Sequence, residues 1–131
     1  MSLLADSSTI FRALATRRAT RVAGESTLDL ARYEIGNAIL KERKIFKALT
    51  AEQAKLLARE GETLLRNMTL LPALNVEEIL ELAMKTGLSF YDTSYLYTAR
   101  REGLKLATED TRLSKVAGDL GIITVTFEKL E

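Results

Sequence analysis

Cysteine, histidine and tryptophan are all absent from this 131-residue chain, and proline occurs once. Each absence removes chemistry. Without cysteine there is no disulfide framework and no thiolate nucleophile, and without cysteine or histidine the ordinary zinc sites cannot be built. The lack of histidine also excludes a Ser-His-Asp triad and an imidazole acid and base pair. A hydrolase made from this sequence must work with carboxylates, hydroxyls, lysines or a metal ion held by oxygen. Lacking tryptophan, it offers no aromatic platform for a sugar cleft, which argues against a carboxylate glycosidase. An excess of one charge is missing as well: 19 Lys and Arg residues stand against 18 Asp and Glu, a formal net charge of +1. Strong nonspecific binding to nucleic acid is therefore not expected as the main function. No apolar run approaches the roughly 20 residues that span a bilayer. The N-terminus has Asp6 near its start and no basic stretch, unlike a secretory signal. A soluble, cytoplasmic protein with one domain over residues 1–131 is the expectation.

What is present is an alternation of short apolar runs and amphipathic stretches. Leu3–Ala5 reads as a strand, and Ser7 or Ser8 as the cap of a helix starting near Thr9. "STLDL" reads as a short strand or a helix start with Asp29 as N-cap, and "ARYEIGNAILKERKIFKAL" follows with helical periodicity. Thr50 caps a second amphipathic helix with Glu52 and Gln53 in its first turn, so the two helices form a hairpin. "TLLPAL" is a strand before the single proline, and "NVEEILELAMKTG" is a helix between an Asn75 cap and a Gly87 stop. Ser89 and Gly103 bound the next helix, and the strands "LKLAT" and "IITVTF" enclose the helix "TRLSKVAGDLG". This order predicts an α/β domain on a short, mostly parallel central sheet with helices on both faces. Neither G-x-G-x-x-G nor a P-loop pattern occurs.

Four acids need a physical reason. Asp92 lies in "SFYDTSYLYTA", where helical spacing puts it on the face of Tyr95, Leu96 and Ala99. Glu34 lies between Ala31 and Ala38 on the small apolar side of its helix. Asp6 and Asp110 each follow a strand, at the edge where open parallel sheets bind ligands. Taken singly, each acid has an ordinary role: Ser89 and Asp92 fit a capping box, Asp6 and Asp110 fit turns or caps, and Glu34 fits a rim position. Taken together they converge, and like charges 4 Å apart repel by about 4 kcal/mol at an effective dielectric near 20. Such a group must protonate or hold a cation, and oxygen ligands without His or Cys select Mg²⁺ or Mn²⁺.

"LLADSS", "YEIGNAI", "YDTSYLYTA" and "LATEDTRL" together resemble, in order and spacing, the four acidic motifs of PIN domains. The resemblance is strongest to the VapC-type toxins of toxin and antitoxin pairs. It implies a magnesium- or manganese-dependent endoribonuclease that acts on RNA as a homodimer and is silenced by a small VapB-type antitoxin. It also implies Asp6, Glu34, Asp92 and Asp110 as the catalytic, metal-holding acids, with Ser8, Asn37 and Thr108 as supporting residues. Thr93 and Tyr97 are bulkier than the alanines that relatives often carry there.

Arg12, Arg17, Arg18 and Arg21 form one basic cluster and Arg100, Arg101 and Lys105 another, each either an ordinary solvated face or a line of phosphate contacts. Tyr33, Tyr91, Tyr95 and Tyr97 fit core or dimer contacts better than base stacking. Glu109 and Asp119 read as surface residues. Ile45, Phe46, Leu56 and Leu57 exceed what a small sheet covers and mark a dimer or antitoxin surface. A noncatalytic PIN-like module that binds RNA or protein is the alternative. A phosphoacceptor switch of the receiver type fits poorly, because "LLADSS" carries one acid where that chemistry wants a pair.

Overall fold

The computed structural model describes residues 2–130. Five short strands, β1 (Leu3–Ala5), β2 (Ser26–Leu28), β3 (Thr69–Leu71), β4 (Lys105–Ala107) and β5 (Thr124–Val125), form one sheet in the order β3-β2-β1-β4-β5. Every pairing is parallel. Six helices connect and cover them: α1 (Ser7–Ala15), α2 (Leu30–Lys44), α3 (Ala51–Arg66), α4 (Val76–Thr86), α5 (Phe90–Glu102) and α6 (Thr111–Asp119). A 3-10 turn follows α1 at Ala19–Arg21, and another follows β5 at Phe127–Lys129.

Strand alternation sorts the two cores. Leu4 and Leu106 point to the face covered by α5 and α6, where they meet Tyr95, Leu96, Ala99 and Leu113. Ala5 and Ala107 point to the other face, and their small size lets α1, α2 and α3 pack closely through Ile10, Leu14, Ile35 and Leu64. All of these side chains are buried. Removing one of the leucines to alanine would cost about 2–5 kcal/mol.

Local signals behave largely as the sequence predicts. Thr50 and Gln53 form a full capping box on α3, and Asn75 and Gly87 bound α4. Gly87 and Gly103 take positive φ at the ends of α4 and α5, a conformation that glycine adopts without strain. Three details differ. The cap of α1 is Asp6, whose Oδ1 accepts from the Thr9 N–H at 3.0 Å, while the Ser8 hydroxyl turns back to that same oxygen at 2.6 Å. Asp29 stands before α2 without a side-chain cap, and the helix stops at Lys44, where the chain turns through a positive φ at Lys47. The last strand is only Thr124–Val125, because Phe127 leaves the sheet edge to fill the core beside α1.

The strand order changes direction between β1 and β4. From β1 the chain builds outward through β2 and β3, then returns to add β4 and β5 on the other side. Such a switch point opens a crevice at the carboxyl ends of the two central strands, because the helices that follow them diverge.

Candidate active site

Asp6 immediately follows β1 and Asp110 lies three residues beyond the end of β4, so the switch point brings both to one edge. The Asp6 N–H donates to the Ala107 carbonyl at 3.0 Å, which fixes the acid against the neighbouring strand. Its side chain is only 4% exposed. Oδ1 accepts from Ser8 and the Thr9 N–H, and Oδ2 accepts from the Thr108 hydroxyl at 2.5 Å. Burial raises its pKa above the ordinary carboxylate value, and these hydrogen bonds oppose that shift.

Thr108 and Ser8 each serve two groups. The Thr108 oxygen also accepts from the Asp110 N–H at 3.0 Å, and the Ser8 oxygen from the Glu109 N–H at 3.1 Å. The two hydroxyls therefore hold the end of β4 against the start of α1. Asp110 caps α6, its Oδ1 accepting from the Arg112 and Leu113 N–H groups at 2.9 and 3.1 Å.

Glu34 and Asp92 approach from helices on opposite faces of the sheet. The buried Tyr95 hydroxyl donates to Glu34 Oε1 at 2.8 Å, joining α5 to α2. Partial burial raises the Glu34 pKa, and the neighbouring Asp92 and Asp6 charges push it further. For Asp92, burial again raises the pKa most, followed by the charges of Asp110 and Asp6, with Ser89 and Arg112 opposing. Ser89 accepts from the Asp92 N–H at 3.0 Å, but Asp92 makes no return bond to the Ser89 backbone, so the capping box is half formed and the carboxylate stays available. Asn37 is exposed on α2 and stands outside this network.

All four acids lie at one end of the sheet, where Glu34 feels the charges of Asp92 and Asp6, and Asp92 those of Asp110 and Asp6. None takes part in an ion pair among the described residues. Among those residues, too, no three acidic side chains stand close enough to enclose an ion. Oxygen is the donor type these acids offer, which suits a hard divalent cation, and the positive charge of Arg112 reaches Asp92 without an ion pair.

Several surrounding residues differ from the sequence reading. Tyr95 is the partner that orients Glu34, a role visible in the sequence only as its place three residues after Asp92. Glu109 is not a simple surface residue: its Oε2 accepts from the Phe127 N–H at 2.8 Å and its Oε1 lies 3.4 Å from Arg12 Nε. Arg12, Arg18 and Arg21 turn toward Glu128 and are not free along the edge. Thr93 is buried and donates to the Ser89 carbonyl at 2.7 Å, whereas Tyr97 reaches Glu78 at 2.5 Å, away from the acids.

A curated relative, Exonuclease VapC9 of Pyrobaculum aerophilum, is 34% identical over 99 residues, covering 75% of this chain and 71% of its own. The crystal structure of PAE2754 from the same organism superposes with a TM-score of 0.81 at 26% identity, over 98% of this chain and 90% of that one. FitAB bound to an IR36 DNA fragment shares the fold, with a TM-score of 0.63 at 17% identity over 98% and 97% of the two chains. The PIN domain model matches residues 4–119, from β1 to the end of α6 and across all four acids, and the chain belongs to the PIN domain family.

Proposed function

We propose that this protein is a magnesium- or manganese-dependent ribonuclease and the toxin of a toxin and antitoxin pair, with Asp6, Glu34, Asp92 and Asp110 holding the ion. The observation that carries this reading is the gathering of these acids at the β1/β4 switch point, close enough for Asp6 and Asp92 to act on Glu34 and for Asp6 and Asp110 to act on Asp92, with no ion pair to any of them among the described residues. Similarity to Exonuclease VapC9 supports nuclease chemistry. A divalent ion bound there would polarise a phosphoryl oxygen and acidify a water toward neutral pH.

The chain's own groups divide the remaining work. Asp6 has both oxygens fixed by hydrogen bonds and contributes stationary negative charge. Glu34 is aimed by Tyr95, and Asp110 by the first turn of α6. Asp92, half-buried and with raised proton affinity, is suited to accept a proton on a carboxylate oxygen from the attacking water. In-line attack on phosphorus breaks the bond to the 3′ oxygen and leaves a 5′ phosphate and a 3′ hydroxyl.

As a toxin the protein would act as a homodimer silenced by a small VapB-type antitoxin. Ile45 and Phe46, each 65% exposed beyond α2, and the exposed Leu56 on α3 supply apolar surface for such contacts. The spacing of the acids, too open to enclose an ion, favours a second reading, a noncatalytic PIN-like module.

The deciding experiment is cleavage of end-labelled RNA with Mg²⁺, Mn²⁺ or EDTA, beside a folded Asp6→Asn and Asp92→Asn double variant. Metal-dependent cutting that disappears in the variant is expected. A folded wild type that binds metal and RNA without cutting would favour the noncatalytic module. Product lengths separate the internal cut expected here from the end-directed cutting that the name of the P. aerophilum relative describes.

A further inference from the structure

Beside the acids, three arginines from one stretch of chain meet a single carboxylate from the C-terminal turn. Arg12 Nη2 lies 2.8 Å from Glu128 Oε1, and Arg18 Nη2 lies 3.0 Å from that same oxygen. Arg18 Nη1 reaches Oε2 at 3.3 Å. Arg21 Nη1 is 3.9 Å from Oε2, beyond hydrogen-bond reach, and is buried without an acceptor among the described residues. The guanidiniums of Arg18 and Arg21 lie 4.7 and 5.1 Å from the ring centroid of the fully buried Phe127. That ring helps to place two of the cations, so Arg18 and Arg21 do not rely on Glu128 alone for their position.

Acceptors are short here. Among the described residues, three guanidiniums carry many more N–H donors than the two oxygens of Glu128, the nearby Oε1 of Glu109 and the Thr16 hydroxyl can use. Arginine forks suit phosphate, and a phosphoryl group places its oxygens in more directions than a planar carboxylate. Glu128 is half exposed, so a rotation of its side chain vacates the cluster while Phe127 stays in the core.

The position suits a substrate that also reaches the acids. Arg12 lies six residues after Asp6 on α1, about 9 Å along the helix axis. Glu109 joins the two places: its N–H bonds to Ser8, which bonds Asp6, and its carboxylate faces Arg12.

We propose that Arg12, Arg18 and Arg21 form a phosphate-binding site for nucleic acid, held shut by Glu128, whose carboxylate occupies the place of a phosphoryl group. The site rests on the ribonuclease reading. RNA enters by exchanging its phosphate for Glu128, which makes this glutamate a brake on binding.

The test is fluorescence anisotropy with a short labelled single-stranded RNA in EDTA, comparing wild type, Glu128→Gln, Glu128→Asp and Glu128→Gln combined with Arg18→Gln and Arg21→Gln. Glu128→Gln should tighten binding about three- to tenfold at about 50 mM salt and steepen the salt dependence by about one phosphate contact. Glu128→Asp should stay near wild type, and the combined variant should lose the gain. Unchanged affinity and salt slope in a folded Glu128→Gln protein would overturn the proposal, as would a gain that survives loss of both arginines. If Glu128→Gln does not fold, Arg18→Gln alone decides: weaker RNA binding supports the site, and unchanged binding overturns it. RNAs with a 5′ hydroxyl and a 5′ phosphate separate the two sources. An equal gain places an internal phosphodiester in the site, and a gain confined to the second places a terminal phosphate there. Cutting by wild type in Mg²⁺ with no effect of Glu128→Gln sinks this site alone. A Glu128→Gln effect without any cutting sinks the ribonuclease reading and leaves an RNA-binding site.

Discussion

The Tyr95 hydroxyl donates to Glu34 Oε1 at 2.8 Å, a bond that spans 61 residues and ties α5 to α2 at the acidic edge. Tyr95 is also one of the largest fully buried side chains, so one residue serves both the core and the aim of a carboxylate. Tyr95→Phe keeps the packing and removes the donor. It should lower stability by about 1–2 kcal/mol, read from the denaturant midpoint. Metal-dependent cleavage should fall about 10- to 100-fold, the range for a partner that orients a ligand.

Thr108 sets two acids with one oxygen, donating to Asp6 and accepting from the Asp110 N–H. Thr108→Val preserves shape and strands Asp6 Oδ2 in a buried place, with an expected cost of about 1–3 kcal/mol. Thr108→Ser should retain most of the stability and activity. Equal behaviour of the two variants in urea unfolding would show that the hydroxyl contributes nothing.

Added Mg²⁺ or Mn²⁺ should raise the unfolding temperature, because an ion that binds only the folded acids stabilises by mass action. The gain is about 2.7 kcal/mol at about 100 times Kd. Asp92→Asn should be more stable than wild type without metal at neutral pH, since one repelling charge is gone. The same variant should lose most of the metal-induced gain in a thermal melt.

Glu128 should leave a pH signature of opposite sign to a buried acid. Arg18 and Arg12 pull its pKa down from 4.5 to about 2. Between those values the unfolded chain binds the proton and the folded chain does not, so its stabilisation is present above about 4.5 and lost as pH falls toward 2. The difference between the urea midpoints of wild type and Glu128→Gln should therefore shrink over that interval. A constant difference would argue against the ion pairs.

Gly36 sits in the middle of α2, exposed, with nothing within 4 Å of where a Cβ would stand. Gly36→Ala should stabilise the protein by about 0.5–1 kcal/mol through helix propensity. Cleavage should be unchanged, which thermal melts and the RNA assay together would check.

That four acids converge on one edge of the sheet is legible because each sits in a local pattern: Asp6 and Asp110 after apolar strands, and Glu34 and Asp92 on apolar helix faces. The helix limits around Thr50, Asn75, Gly87 and Gly103 were legible for the same reason, since caps act within a few residues. The partners were not. In the sequence Tyr95 reads as core, Glu109 as surface and the arginines as a solvated face or a line of phosphate contacts, because each of their bonds crosses a long stretch of chain that periodicity does not describe.

The sequence by itself determined the alternation of strand and helix, the caps, and the chemistry available, which without cysteine or histidine is oxygen chemistry. These follow from side-chain type and from interactions between residues a few places apart. Only the tertiary structure decided that β1 and β4 are neighbours, that two hydroxyls bridge them, and that Glu128 closes over Arg12, Arg18 and Arg21. Those pairings depend on strand order and on burial from both faces of the sheet, which place residues more than a hundred positions apart within hydrogen-bond distance.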